Sequence, residues 1–246
     1  MTRLKISIVT PSLNQGNFIE EATLSVLNQR YPDYEHIVVD GGSQDQTLDI
    51  LKKYSSKTDK LRWISEPDRG QSDALNKGFR LASGDIIGWL NADDRYLPGC
   101  FSRVIDFFSR NLDVDVVYGD YRFINERGKV IKLRKEIDFD LFILKYLHVL
   151  YVPSTATFFR RKVIDDGNFL AEDYHYAMDY EFFLRLALKG YKFAHIPEYL
   201  ADFRWHSESK STKAANKQRL EQERALENMD PLLRSISNVA LRHSLR

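Results

Sequence analysis

The chain has 246 residues, 43% hydrophobic and 29% charged, which excludes a wholly disordered polypeptide and allows a sizeable core without disulfide or metal staples. A net charge of +1 gives no electrostatic reason to expect a nucleic-acid partner, and a lone cysteine, Cys100, excludes an intrachain disulfide and fits a reducing, cytoplasmic compartment. No apolar leader precedes the first strand-like segment, and the longest apolar stretch, around Phe142 to Val152, is interrupted by Lys145 and His148 and too short to span a bilayer. The expectation is a soluble protein, or one attached at most to a membrane surface.

Short apolar runs alternate with helical patterns through the first half, the signature of an α/β fold with a largely parallel sheet built from βαβ units. The predicted order is strand 5–10, helix 17–29 with Phe18, Ile19, Ala22 and Val26 inward, strand 35–40 and helix 46–54. Strand 61–65, helix 71–81 and strand 85–90 follow. Pro98 suits the first turn of a helix running to about Arg110, and 115–118 reads as a fifth strand. In the less regular second half, 121–133 reads as a β-hairpin around Glu126-Arg127-Gly128-Lys129, with strand 154–159, helix 179–189 and strand 192–196 after it. Beyond Ser211, Leu226, Met229, Leu233, Ile236 and Ala240 recur at helical spacing, as a C-terminal helix or helix pair that packs back or pairs with a second subunit in a homodimer. From Arg204 to the end, nine Lys/Arg oppose five Asp/Glu. Such a basic tail reads either as a solvated helical face or as a contact for anionic lipid or a polyanionic acceptor.

Open α/β sheets bind ligands beyond the carboxyl ends of their strands, and three acidic features fall there. Asp40 closes the second strand before Gly41-Gly42-Ser43, Asp68 follows the third, and Asn91-Ala92-Asp93-Asp94 follows the fourth. Carboxylates gathered at one sheet edge repel each other unless a cation or a donor-rich ligand meets them. Adjacent acids on a loop are hard oxygen donors for Mg²⁺ or Mn²⁺, with coordination positions left for phosphate oxygens. Asp40 and Asp68 supply acceptors for ribose or base. Taken singly, Asp40 reads equally as a turn residue, and Asp93 or Asp94 as a helix N-cap. The first strand ends in Thr10-Pro11-Ser12-Leu13-Asn14, with neither GxGxxG nor GxxxxGK[ST], so no glycine cradle holds a phosphate. No HExxH or Cys/His cluster points to zinc.

Five blocks in order, SIVTPSLNQGNFIEEATLSVLNQ, HIVVDGGSQDQTLDIL, SEPDRGQSDALNKG, SGDIIGWLNADD and MDYEFFLRLALKG, resemble the family 2 glycosyltransferases of GT-A fold, over roughly Ile6 to Trp205. The resemblance implies an inverting single displacement from a nucleotide-sugar donor, usually with Mn²⁺ or Mg²⁺, onto a glycan or lipid-linked acceptor. It implies a domain over 1–205, with a donor half at 1–120 and an acceptor half at 121–205, and a helical tail at 206–246. Thr10 and Pro11 then border the nucleotide, Asp40 holds the base with Asp68 nearby, and Arg69 and Lys77 meet phosphate or sugar. Asn91-Ala92-Asp93 stands for the DxD motif, Asn91 replacing its first acid, with Asp93 and Asp94 serving ribose and metal. Asp179 matches the catalytic base at a helix start, with Glu181 as the second candidate, and both also suit capping of that helix. His206 lies where similar enzymes place a residue over the metal or diphosphate. Aromatic residues reach 13%, and Trp63, Trp89, Tyr118 and Tyr151 offer stacking faces for sugars, with Tyr174 and Tyr176 as the acceptor-site choices. A nucleotidyltransferase is the rival enzyme, but Asn14-Gln15-Gly16-Asn17 matches its basic glycine loop poorly. A catalytically silent nucleotide-sugar-binding protein is the rival of another class.

Overall fold

The computed structural model describes residues 3–147, 149–206 and 215–229. Four parallel strands form one half of a single sheet: β1 (Ile6–Ser12), β2 (Tyr34–Asp40), β3 (Leu61–Ser65) and β4 (Ile86–Trp89). They are joined by α1 (Ile19–Leu27), α2 (Thr47–Ser55) and α3 (Gln71–Leu81). The second half comprises β5 (Arg95–Tyr96), α4 (Cys100–Arg110), β6 (Val116–Ile124), β7 (Val130–Arg134) and α5 (Leu141–Tyr146). A 3₁₀ turn at Ser154–Ala156, β8 (Thr157–Arg160), α6 (Lys162–Asp165), α7 (Met178–Leu188), β9 (Phe193–Arg204) and α8 (Ala215–Met229) complete it. The strands lie in the order β3-β2-β1-β4-β8-β6-β9-β5, with β7 against β6.

Every residue of β1 and β2 is buried, as expected for strands covered on both faces, with apolar Ile8-Val9 and Ile37-Val38-Val39 at their centres and the polar residues among them held by internal hydrogen bonds such as Ser7–Glu35 and Thr10–His36. One core gathers Val9, Val39, Phe79, Phe159 and Phe182 beneath α3 and α7; another gathers Ile6, Ile8, Val26, Phe101 and Phe108 beneath α1 and α4. Gly78 lets α3 sit against β1, since a Cβ there would fall 2.2 Å from Val9 Cγ1.

Tertiary partners move several predicted boundaries. β1 continues through Pro11 because β4 pairs only as far as Val9, so the missing proline N–H faces a vacated side of the ladder. The predicted fifth strand and the first arm of the hairpin are one strand, β6, held along its length by β9. β9 itself passes through Pro197, accommodated where the register skips from Ile196 to Tyr199. Pro98 does not open α4; Gly99, at φ 79°, is its N-cap, and no aspartate of the Asn91–Asp94 loop caps it. β5, α5 and α6 carry no periodic signal of their own. α8 packs back on α7, with Ala225 and Leu226 in the core. Leu233, Ile236, Ala240 and most of the basic tail lie outside the described residues, as does His148. No described helix is long and apolar enough to cross a membrane.

At the amino-terminal edge of the sheet, away from the acids, Glu35 ties three segments together. It accepts from Ser7 Oγ at 2.7 Å, from Ser83 N at 2.8 Å and Oγ at 2.6 Å, and from Arg62 at 2.6 Å. Burial raises its pKa, but the Ser83 and Ser7 donors and the Lys5 charge outweigh that and bring it down to about 2, against an ordinary 4.5. A carboxylate whose pKa is depressed by folding contributes stability above its unfolded value and loses it as pH falls towards the folded one. Glu35→Gln is therefore expected to lower stability at pH 7 by about 1.5–3 kcal/mol in urea titrations, and to flatten the loss that the wild type shows from about pH 5 towards pH 2. An unchanged acid limb in the variant would assign that loss to other groups.

Candidate active site

The parallel strands deliver their carboxyl ends to one edge, where the following loops meet β9 and the start of α7 around a cleft of about 420 Å³. Pro11, Ser12 and Asp68 line it from the strand ends, Asn91 and Asp93 from the loop after β4, and His206 from the end of β9. His175, Tyr176, Met178 and Asp179 line it from the α7 side, and Gln218 of α8 reaches it too.

The loop after β4 is held rigidly. Asn91 accepts from Trp89 Nε1 and Gln71 Nε2, both at 2.9 Å, and donates to Asp94 at 3.1 Å. Asp94 is 1% exposed and accepts from Arg204 N at 2.8 Å and from the Thr155 hydroxyl. Burial first, and the neighbouring Asp93 charge second, push its pKa well above the ordinary carboxylate value, against those donors. Asp93 faces the cleft instead, 3.0 Å from His206 Nε2. Behind them the buried Arg204 guanidinium donates to Asp93 O at 2.7 Å, to Glu21 at 2.7 Å and to the carbonyls of Asn125 and Glu126.

The proposed metal donors thus divide. Asp93 and His206 stand together on the cleft, whereas the Asp94 carboxylate is turned away from it and fully engaged in the interior. Among the described residues no three His, Cys, Asp or Glu side chains converge as a cage. Two protein donors nevertheless fit a cation that takes its other ligands from phosphate and water, as Mg²⁺-type sites do.

The base-binding candidates divide likewise. Asp40 is fully buried and folds onto its own turn, accepting from Gly42 N at 3.0 Å, Ser43 N at 2.8 Å and Ser65 Oγ at 2.7 Å. It is the turn residue, and Asp68 is the acid on the cleft. Thr10 points into the interior, 2.9 Å from His36 Nε2, leaving Pro11 at the cleft. Neither Arg69 nor Lys77 lines it: Arg69 pairs with Asp73 and Glu172, and Lys77 with Glu66.

On the α7 side, Asp179 lines the cleft and accepts from Tyr180 N at 2.9 Å. Glu181 does not share that place; it is buried in a bidentate pair with Arg185, at 2.7 and 3.0 Å. Tyr176 lines the cleft, while Tyr174 is buried under Arg224, 3.9 Å from its ring centroid. Tyr118 and Tyr151 belong to the core and Trp63 bonds Ser55, so of the four stacking candidates Trp63, Trp89, Tyr118 and Tyr151 only Trp89 reaches the cleft wall.

Two structural organisers escape a sequence reading. Arg204 is one, because a buried arginine in a strand shows no periodicity that separates it from a surface one. Glu221 of α8 is the other. Its carboxylate accepts from three successive amides, His175 N at 3.0 Å, Tyr176 N at 2.7 Å and Ala177 N at 2.9 Å, and so fixes the segment leading into Asp179.

A parallel α/β sheet with acids at its carboxyl edge, closed by a mixed second half, is the GT-A fold. S. aureus TarS solved with UDP matches it at a TM-score of 0.73, with 21% identity over 92% of this chain and 65% of that one. The mannosyltransferase PcManGT of Pyrobaculum calidifontis, solved with GDP-Man and Mn²⁺, matches at 0.66, with 18% identity over 85% and 59%. The sequence profile of glycosyl transferase family 2 covers residues 7–167, and the chain belongs to that family. Among its relatives, the chondroitin synthase of Escherichia coli is 28% identical over 85% of this chain. The hyaluronan synthase of Pasteurella multocida is 28% identical over 85% as well. The chain spans only 30% and 21% of those two synthases.

If Glu221 fixes the 175–177 backbone, Glu221→Ala frees three amides at once. Hydrogen exchange at 175–177 should accelerate by roughly tenfold to a hundredfold, the equivalent of about 1.4–2.8 kcal/mol, with β1–β4 protection unchanged. Equal acceleration across the sheet would show that Glu221 supports the whole fold rather than this segment.

Proposed function

We propose that the chain transfers a sugar from a nucleotide-diphosphate donor, UDP-linked and hexose-type, to an acceptor hydroxyl, with inversion and with a divalent metal. The observation that carries this is a single cleft holding the Asp93–His206 pair on one wall and Asp179 on another. Asp68, Pro11 and Ser12 form the nucleotide wall, Asp68 accepting from base or ribose. Bound between Asp93 and His206, Mn²⁺ or Mg²⁺ would supply positive charge where the diphosphate departs. Asp179 takes the proton of the acceptor hydroxyl as its oxygen attacks the anomeric carbon. The bond from that carbon to the phosphate oxygen breaks, and the nucleoside diphosphate leaves with the electron pair. Asp94, dry and fully bonded, keeps Asp93 and the end of β9 in register without touching substrate.

UDP is favoured because TarS was solved with UDP and with UDP-GlcNAc, and manganese because PcManGT was solved with Mn²⁺. A glycan or lipid-linked acceptor in cell-envelope polysaccharide synthesis is in keeping with relatives named for chondroitin and hyaluronan synthesis. Placement at the inner face of the plasma membrane, through the basic tail, belongs to the same proposal.

Thermal shifts with UDP, GDP and dTDP, each with and without Mn²⁺, test the donor site. A ligand that binds only the folded state stabilises it by about 2.7 kcal/mol at a hundredfold excess over Kd. UDP should raise the midpoint only with Mn²⁺, and Asp93→Ala should abolish the rise. Asp179→Asn should keep the shift while losing turnover of the UDP-sugar by a factor of about 10²–10⁴. Unimpaired turnover in Asp179→Asn would remove it as the base; a nucleotide shift without sugar transfer by the wild type would favour a silent binding protein, and no shift with any nucleotide would overturn the donor site.

A further inference from the structure

The sheet leaves one aromatic face half uncovered beside the cleft. β6 contributes Tyr121 and Phe123, β9 contributes Phe203, and Trp205 follows one step past its end. Their common side follows from the register, which pairs Tyr121 with Ala201 and Phe123 with Phe203. The intervening residues Asp202 and Arg204 turn the other way, buried themselves and paired with the partly exposed Arg95, Arg122 and Glu21. The rings touch in series: Tyr121 to Phe123 at 5.1 Å, Phe123 to Phe203 at 5.5 Å and Phe123 to Trp205 at 5.9 Å. Phe203 also lines the cleft, so the panel continues the site rather than standing apart from it.

Burial of these four side chains would stabilise the fold, yet all remain partly open and Trp205 is 43% exposed. A contiguous exposed aromatic patch at the mouth of a binding cleft marks a ligand surface. Its rim is polar: Lys132 of β7 reaches over Phe123, 5.8 Å from the ring, and Arg134 pairs with Glu136. A pyranose ring has an apolar C–H face and a perimeter of hydroxyls, which suits flat aromatic faces inside a polar rim. A lipid chain asks for an enclosed apolar groove, which an open sheet face does not provide.

We infer that Trp205, Phe123, Tyr121 and Phe203 form a platform for the saccharide part of the acceptor. Sugar rings stack on Trp205 and Phe123, and the terminal hydroxyl enters the cleft past Phe203 towards Asp179. This role rests on the proposed donor cleft for its direction, though the binding itself does not.

The full chain would be applied to an array of defined neutral and uronic-acid-containing oligosaccharides, and hits titrated by isothermal titration calorimetry. The wild type should bind at least one. Trp205→Ala should weaken that binding by roughly tenfold or more and Trp205→Phe by much less, as expected for a lost stacking face. The UDP–Mn²⁺ thermal shift should be the same in all three proteins. No saccharide bound, or equal binding by Trp205→Ala, overturns the platform. So does an equal loss of the nucleotide shift in Trp205→Ala, which would make Trp205 a support for His206. Saccharide binding that depends on Trp205, without any nucleotide shift in the wild type, keeps the platform and overturns the donor site instead.

Discussion

The candidate site depends on one buried ionic knot at the end of β9. Arg204 is 1% exposed and Asp94 is equally dry, and neither would be tolerated there without its partners. The guanidinium bridges the Asp93 carbonyl, the β6–β7 turn and Glu21 of α1, while the Arg204 amide closes onto Asp94. Phe18 lies against the guanidinium at 4.9 Å and against the His206 ring at 5.0 Å. Four chain segments are thereby joined behind the two side chains that face the cleft. Such a network specifies an arrangement more than it stabilises one, because its desolvation cost offsets much of its attraction.

The sheet explains why the knot must exist. Its parallel half can only place loops at the carboxyl edge; it has no means of closing over them. Closure comes from β6, which pairs with β8 for three residues and then passes to β7 while β9 follows it throughout. The change of partner carries β9 beyond the edge of the parallel half and brings His206 to Asp93. A long two-strand extension of this kind would splay from the parallel half if nothing fastened its tip, and Arg204 is that fastening.

Much of the parallel half is legible in the sequence for a physical reason: strands buried on both faces are dense apolar runs, and a helix over them repeats at 3.6 residues. β3 and α3 fall on their predicted bounds, and the acids lie at three strand ends on one edge. The second half is less legible because its elements are defined by partners. Gly119-Asp120 interrupts the apolar run of β6, and Pro197 that of β9, yet both strands continue because they hold each other. The site shows the same division. Asp68, Asn91, Asp93, Asp179, His206, Pro11 and Tyr176 reach the cleft, while Asp40, Glu181, Tyr174, Thr10, Arg69, Lys77 and Asp94 are spent elsewhere. A one-dimensional pattern places a carboxylate at a strand end but does not say whether it opens to a ligand or folds under its own turn.

Asp93 and Asp94 carry that distinction to its limit, as adjacent residues of one type with opposite surroundings. Asp94 has lost its water and gained donors from Thr155, Arg204 and Asn91, so further interaction with a cation would require breaking bonds that hold the loop. Asp93 keeps solvent access and lies 3.0 Å from the imidazole of His206. Repulsion between the two carboxylates adds to burial in raising the cost of charging the buried one. An acid pair that looks redundant in sequence therefore separates into a buried strut and a carboxylate open to the cleft, and the strut holds the loop that carries the open one.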